Sequence, residues 1–233
     1  MNNDEILISI VIPVFNEELT IGNVIERLTS VAHKIGFKYE MIVVDDCSED
    51  RSLEISKSHG AKFFSLKKHV GKGYALRTGF AKAKGEIVIT LDSDGSHLPE
   101  ELPRLLTPIL QNEADLVIGS RYLSRKLVIA KKLNFAGVKL FNFLIKILTG
   151  ASFSDSQSGY RIMKASVLRN EHLKSSGYEI ESEMLVRTLR KGFRVREVPI
   201  SFEQRTYGTS RVDPVIDGFK ILFSILLAYI GSR

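Results

Sequence analysis

The chain predicts an α/β fold: a Rossmann-like, mainly parallel sheet with helices on both faces. Short β-branched apolar runs alternate with helical patterns through the first half, and helix punctuation separates them. The runs at 6–12, 41–44, 62–66, 87–91 and 116–118 have the length and β-branched or aromatic content of buried strands. Helical patterns occupy about 18–35, 50–59, 71–84 and 99–112. Gly85 follows the third of these, and Pro99 with Glu100 and Glu101 opens the fourth, as helix ends and starts require.

At 233 residues, with 44% hydrophobic and 26% charged residues, the chain is long enough for one folded domain over 1–233 and too apolar to be disordered. A formal net charge of +6 favours anionic partners. The lone Cys47 precludes an intrachain disulfide. Residues 1–5 are polar and lack a signal-peptide pattern, and no run reaches the roughly 18–20 apolar residues of a membrane span. The expected location is therefore cytoplasmic, peripheral to a membrane.

In parallel sheets ligands gather beyond the carboxyl ends of the strands. Three such ends carry polar turns: Pro13-Val14-Phe15-Asn16-Glu17, Asp45-Asp46-Cys47-Ser48-Glu49-Asp50 and Asp92-Ser93-Asp94-Gly95-Ser96-His97. Each alone is compatible with ordinary turn and cap chemistry; all three at one sheet edge point to a site. Asp92 and Asp94, one residue apart after a buried strand, can both reach a Mg2+ or Mn2+ ion, which keeps waters and shares substrate phosphates. Gly71-Lys72-Gly73 fits neither common phosphate-loop pattern, since position 76 is Leu. It reads either as a helix start presenting amides and Lys72 to an anion, or as a plain turn. His97 reads as a turn residue and Cys47 as packing.

From about 120 the character changes. Residues 116–154 contain no Asp or Glu but seven Lys or Arg. Within 133–148, Lys139, Asn142 and Lys146, continued by Thr149, fall on one narrow helical stripe, and apolar residues cover the rest. Helices over about 121–149 are therefore expected to lie in a membrane interface, the alternative being a core helix with an exposed Lys edge. An apolar helix over about 215–230 is expected to lie on the membrane, pack on the domain or dock on a small membrane-anchoring subunit. Nucleic acid is not expected, because the basic residues lie on an apolar helix without an exposed aromatic platform.

The three turns, together with Gly71-Lys72-Gly73, Gly119-Ser120-Arg121-Tyr122, Asp155-Ser156-Gln157-Ser158-Gly159-Tyr160-Arg161, Gly177-Tyr178-Glu179-Ile180-Glu181 and the 205–211 segment, resemble family-2 glycosyltransferases over nearly the whole chain. Within that family they resemble the polyprenyl-phosphate glycosyltransferases, the dolichyl-phosphate mannose synthases among them. The resemblance implies a GT-A fold, a nucleotide-sugar donor (GDP-mannose or a UDP-sugar), a polyprenyl or dolichyl phosphate acceptor and inversion at the anomeric carbon. It implies that Pro13, Phe15 and Glu17 line the nucleoside pocket and that Asp45 contacts base or ribose, with Lys72, Asp92 and Ser93 completing the donor site. It makes Asp92 and Asp94 the metal and diphosphate pair, with Ser96 as third metal contact where relatives often carry Gln. Arg121, Arg205 and Arg211 become phosphate-facing cations, joined on the acceptor side by Lys131 and Lys132; relatives often carry Lys where Arg211 stands.

A phosphate monoester is largely dianionic at neutral pH, its second pKa being about 6, so it can attack without a general base. The expected catalytic set is then Asp94, Arg121 and Arg211, with Asp155 as candidate base or orienting group. Asp155, Glu179 and Glu181 read as ion-pair partners of Arg161 or Arg205, or as bases for a hydroxyl acceptor. A family-2 enzyme acting on a glycan hydroxyl and a non-catalytic membrane-bound nucleotide-binding protein are the alternative functions.

Overall fold

In the computed structural model, residues 6–123, 132–169, 172–203, 205, 207 and 211–231 are described. Seven strands form one sheet in the order β3-β2-β1-β4-β6-β5-β7. The expected strands appear as β1 (Leu7–Val14), β2 (Lys38–Asp45), β3 (Lys62–Ser65), β4 (Ile87–Thr90) and β5 (Leu116–Ser120). The first four pair in parallel. Two further strands were not legible as apolar runs. β6 (Arg161–Lys164) is four residues long with a basic residue at each end and inserts antiparallel between β4 and β5. β7 (Val195–Pro199) carries Arg196 and Glu197 on the sheet edge, parallel to β5.

Alternation along β1 explains the layering. Ile8, Ile10, Ile12 and Val14 enter one core with α1 (Ile21–Ile35) and α4 (Leu102–Leu110). Val11 enters the other, with α3 (Lys72–Lys82), α5 (Lys132–Thr149), α7 (Ile180–Arg190) and α8 (Ile216–Ile230). Two short helices, α2 (Ser52–Ser58) and α6 (Ala165–Arg169), complete the set. α1 buries Ile21, Val24, Ile25, Leu28 and Val31 and stops at Gly36, which adopts the left-handed conformation at φ 73°. Gly79 lets α3 seat directly on β1, since a Cβ there would meet Val11 Cγ1 at 2.3 Å.

α5 is neither sealed in the core nor confined to one Lys edge. Val138, Phe141 and Ile145 are buried, while Lys139, Leu140, Phe143, Lys146 and Ile147 share the outer face. Asn142, expected on the outer stripe, instead turns inward: its amide donates to the Ser154 carbonyl at 2.9 Å and accepts from the Ser156 amide at 3.2 Å. α8 buries Ile221, Ile225 and Ala228 and exposes Ile216, Phe219, Phe223, Leu227 and Ile230 at helical spacing. Among the described residues no helix is long and apolar enough to cross a membrane. The part of the expected interface region at 124–131, including Lys131, lies outside the described residues, as does the side chain of Lys132.

Candidate active site

The turns after β1, β2 and β4 are stitched into one rim. The amides of Asn16, Glu17 and Glu18 donate to Ser48 Oγ, Ser52 Oγ and Asp50 Oδ2 at 2.9, 2.7 and 3.0 Å. Asn16 Oδ1 in turn accepts from the Glu49 amide at 2.7 Å. It does so from a left-handed backbone (φ 52°), as does Cys47 (φ 66°) on the facing turn. Thr20 Oγ1 donates to the Ser93 carbonyl at 2.8 Å, tying the first turn to the acid-rich third.

One end of this rim is built around Phe15. Its ring stacks on His69 with centroids 4.0 Å apart, and the Arg211 guanidinium lies 4.3 Å from the Phe15 centroid. Pro13 is buried within β1 in register with Val44. Asp45 is buried too, its oxygens accepting from the Ser48 amide at 3.1 Å and Ser65 Oγ at 2.9 Å. Asp46, which the sequence did not single out, receives the amides of Val70 and Gly71 at 2.8 and 2.7 Å and so fixes the entry to α3. A 270 Å³ cavity beside this end is lined by Glu17, Asp50, Arg205, Tyr207 and Arg211 among others.

Asp92 and Asp94 each face a cation. Lys72 Nζ lies 2.6 Å from Asp92 Oδ1 and 2.7 Å from Glu181 Oε1, bridging two carboxylates. Arg205 bridges Asp94, at 3.3 Å, and Glu17. Ser96 donates to Asp94 Oδ1 from both its amide, at 3.0 Å, and its hydroxyl, at 2.6 Å. Ser96 therefore orients Asp94. Glycine is required at 159, where a Cβ would stand 2.6 and 2.7 Å from the Asp92 oxygens.

The Gly71-Lys72-Gly73 segment meets a packing need. A Cβ at Gly71 would sit 2.5 Å from the Ser176 carbonyl oxygen, and one at Gly73 would sit 2.8 Å from the carbonyls of Ser175 and Gly177. Both glycines let the start of α3 touch the 175–177 backbone. Two of the amides there are already engaged: Gly71 donates to Asp46 and Tyr74 to the Ser176 carbonyl at 3.1 Å. Lys72 faces the Asp92–Glu181 carboxylates.

Arg121 is the third cation. Its Nε and Nη2 donate to the two oxygens of Asp155 at 2.7 Å each, and its guanidinium lies 5.3 Å from the Phe202 centroid. Asp155 has no exposure and both its oxygens accept from Arg121, an arrangement that positions a cation. Neither Asp155 nor Glu181 pairs with Arg161, whose guanidinium donates to the carbonyls of Ser158, Ser156 and Glu181. Glu179 accepts the amides of Ser176 and Gly177 at 3.0 Å each.

Charge is concentrated at this edge. Burial disfavours ionised Asp92, yet Lys72 and then His97 outweigh it and hold the carboxyl at about 2. Burial likewise opposes the Lys72 ammonium, and Asp92 with Glu181 more than compensates, raising its pKa above the ordinary lysine value. Burial raises the Glu17 carboxyl, with Arg205 opposing. His97 is no simple turn residue: it is buried between Tyr160 and Phe202, with Nδ1 3.6 Å from Asp92 Oδ2, and burial lowers its pKa.

The site fits a hard divalent cation. Among the described residues no group of three or more His, Cys, Asp or Glu side chains could hold a metal ion. What is offered is the Asp92/Asp94 pair, with side chains 25% and 20% exposed and each already drawing a positive group. Two carboxylates completed by water and phosphate oxygens are a sufficient protein share for Mg2+ or Mn2+.

Known proteins of similar sequence and fold fit this geometry. The chain is 31% identical to a UDP-N-acetylglucosamine–dolichyl-phosphate N-acetylglucosaminyltransferase of Methanococcus voltae, over 97% of each. It is 32% identical to an undecaprenyl-phosphate mannosyltransferase of Micrococcus luteus, over 89% of this chain and 88% of that one. Glucosyl-3-phosphoglycerate synthase from Mycobacterium tuberculosis, solved with Mn2+, uridine-diphosphate-glucose and phosphoglyceric acid, superposes with a TM-score of 0.76 at 24% identity, covering 98% of this chain and 81% of that one, and shares the GT-A fold. The model of glycosyl transferase family 2 matches residues 9–171. With that match across the rim, the acid pair and Arg121, the chain belongs to glycosyl transferase family 2.

Proposed function

We propose that this glycosyltransferase moves a hexosyl unit, mannose or glucose foremost, from a nucleotide-sugar to a polyprenyl (dolichyl) phosphate at a membrane surface, with inversion. One observation carries the reading: three cationic side chains, Lys72, Arg121 and Arg205, are held on buried or half-buried carboxylates around Asp92 and Asp94. Such a site is made to bring two phosphate-bearing groups together. The names of the two polyprenyl-phosphate relatives support the acceptor class and widen the donors to be tried to UDP-N-acetylglucosamine.

In this reading the Phe15, Glu17, Asp45 and Ser93 turns take the nucleoside, and Asp92 with Asp94 would hold Mg2+ or Mn2+. A bound cation supplies charge neutralisation of the leaving diphosphate. The protein does the rest. Lys72 sits against Asp92 at 2.6 Å, where it meets the donor phosphates when they arrive. Arg121, fixed by Asp155, and Arg205 with Arg211 offset the repulsion between acceptor and donor anions. Lys131 and Lys132 are proposed to extend that acceptor path. Because the acceptor phosphate is already ionised, its oxygen can form the new bond to the anomeric carbon as the nucleoside diphosphate departs.

The outer faces of α5 and α8 would rest on the bilayer. Leu140, Phe143 and Ile147 on α5, and Phe219, Phe223 and Ile230 on α8, are each at least half exposed. So many large apolar side chains exposed on two packed helices are uncommon on a protein that meets only water. The direct test incubates the protein with GDP-mannose, UDP-glucose or UDP-N-acetylglucosamine, Mg2+ or Mn2+, and dolichyl phosphate in vesicles. Metal-dependent formation of a glycolipid is expected; no product from any donor sinks the proposal.

A further inference from the structure

A groove of about 740 Å³ runs between α3 and residues 165–169 and 172–174, away from the Asp92/Asp94 pair. Arg77, Lys82, Lys84, Arg169, His172 and Lys174 line it, and none of its described lining residues is Asp or Glu. No described carboxylate lies within ion-pair distance of the five Lys and Arg side chains; Glu171, between Arg169 and His172, lies outside the described residues. The two walls are pinned together by Arg77 Nη1 donating to the Lys174 carbonyl at 3.0 Å. The remaining lining includes the apolar Phe80, Val88, Leu168 and Leu173.

Five like charges brought together with no counter-ion among the described residues favour an anion joining them. The apolar residues among them set the kind of anion, because inorganic phosphate gains nothing from apolar contact whereas a phosphate carried on a glycerol and acyl chain does. The groove also lies on the side of the sheet that carries α8. Ser175, one residue beyond Lys174, shares a 3.2 Å hydrogen bond with Ser224 on the inward side of α8. Groove and apolar stripe therefore lie on the same side of the sheet.

We propose that this groove is a second anion site that takes the phosphate headgroup of an acidic bilayer lipid. It would anchor the protein independently of the transfer site, whose Asp92 and Asp94 lie at the other end of β4. The inference rests on the reading that α5 and α8 lie on a membrane. Each basic residue near an anionic surface contributes about 1 kcal/mol, a factor of about five in binding.

The experiment is co-sedimentation of the full chain with phosphatidylcholine vesicles, with or without one third phosphatidylglycerol. Three proteins are compared: wild type, Lys82→Gln/Lys84→Gln/Lys174→Gln, and Phe219→Ser/Phe223→Ser. Wild type is expected to bind acidic vesicles at least tenfold more tightly than neutral ones. The triple groove variant should lose most of that preference while keeping wild-type binding to neutral vesicles and an unchanged melting temperature. The α8 variant should lose binding to both. A groove variant that keeps the full acidic preference overturns the inference and leaves the membrane reading standing. Failure of wild type to bind either vesicle overturns both. Protection by millimolar inorganic phosphate in a thermal shift, dependent on the groove lysines but without any lipid preference, overturns the lipid assignment in favour of a free anion.

Discussion

Asp155 holds Arg121 at three points: its oxygens accept Nε and Nη2 at 2.7 Å each, and Oδ2 also accepts the Arg121 backbone amide at 3.0 Å. The loop carrying Asp155 is itself fixed by Asn142 on α5 and by Glu197, which accepts the Ser154 and Asp155 amides at 2.8 Å each. The apolar helix α5 is thereby joined to a cation at the site. A membrane contact on the outer face of α5 would bear on the loop that aims Arg121.

Asp155→Asn tests whether this carboxylate positions or catalyses. The amide keeps an acceptor but loses the charge that aligns the guanidinium. Transfer is expected to fall roughly tenfold to a hundredfold, about 1.4–2.8 kcal/mol, with the shape of its pH profile unchanged. Arg121→Ala and Arg121→Ala/Asp155→Ala should then be about equally impaired, because the two residues act as one unit. Disappearance of a titrating limb from the pH–rate curve of Asp155→Asn would instead identify a general base and favour a hydroxyl acceptor.

Gly159→Ala probes the seat of the acid pair. The added methyl would stand within 2.9 Å of three Asp92 carboxylate atoms, so Asp92 must swing away. Overall stability should change little compared with the effect on ligand binding, since Asp92 is partly exposed and can move. The thermal shift induced by a nucleotide-sugar with Mn2+ should vanish, as it should in Asp92→Asn and Asp94→Asn. A normal ligand-induced shift in Gly159→Ala would show that Asp92 does not contribute from its present position.

Much of this was readable from residue order, and the reasons for the remainder are physical. Strands β1, β2, β4 and β5 announce themselves because their central residues are buried and read as apolar runs; β3, expected to be buried as well, is instead an exposed edge strand, legible only from Phe63 and Phe64. β6 does not, because Arg161 is buried by donating to three carbonyls, a solution that no hydropathy pattern displays. The acid-rich turns were visible from strand ends alone. The pairing of Lys72 with Glu181 was not, since 109 positions separate partners that only the packing of α3 on the 175–177 backbone brings together. Asn142 misled by periodicity: its spacing matches Lys139 and Lys146, but its hydrogen bonds draw it to the Ser154–Ser156 loop.

Lys72→Met leaves Asp92 and Glu181 facing each other without the ammonium that separates them. Breaking a buried ion pair from one side costs about 3–5 kcal/mol, so chemical denaturation should show a large loss of stability. Adding Mn2+ should restore more stability to this variant than it adds to wild type, because the ion supplies the missing positive charge at Asp92. Lys72→Met/Glu181→Gln should be more stable than Lys72→Met alone. Equal responses to Mn2+ in variant and wild type would argue that the ion does not bind at Asp92.

Asp115, at the end of the sheet remote from the site, gives the clearest acid sensitivity. Its oxygens accept Arg194 Nε at 3.1 Å and Nη2 at 3.0 Å, the Arg194 amide at 2.9 Å and Lys164 Nζ at 2.8 Å, joining β5, β6 and the entry to β7. The Arg194 hydrogen bonds, ahead of those from Lys164, hold its carboxyl well below the ordinary aspartate value, against burial. A depressed acid contributes stability that is fully present above its unfolded pKa, about 3.9, and is lost as pH falls toward the lower folded value. Unfolding free energy in urea should therefore be insensitive to this group from pH 7 to about 5 and decline below about pH 4. Arg194 is half exposed, so solvent screening limits the contribution to about 1 kcal/mol. Asp115→Asn should be less stable than wild type at pH 7 and should converge with it as pH approaches 3. Parallel curves across that range would mean that the cluster is not ionised as its geometry requires.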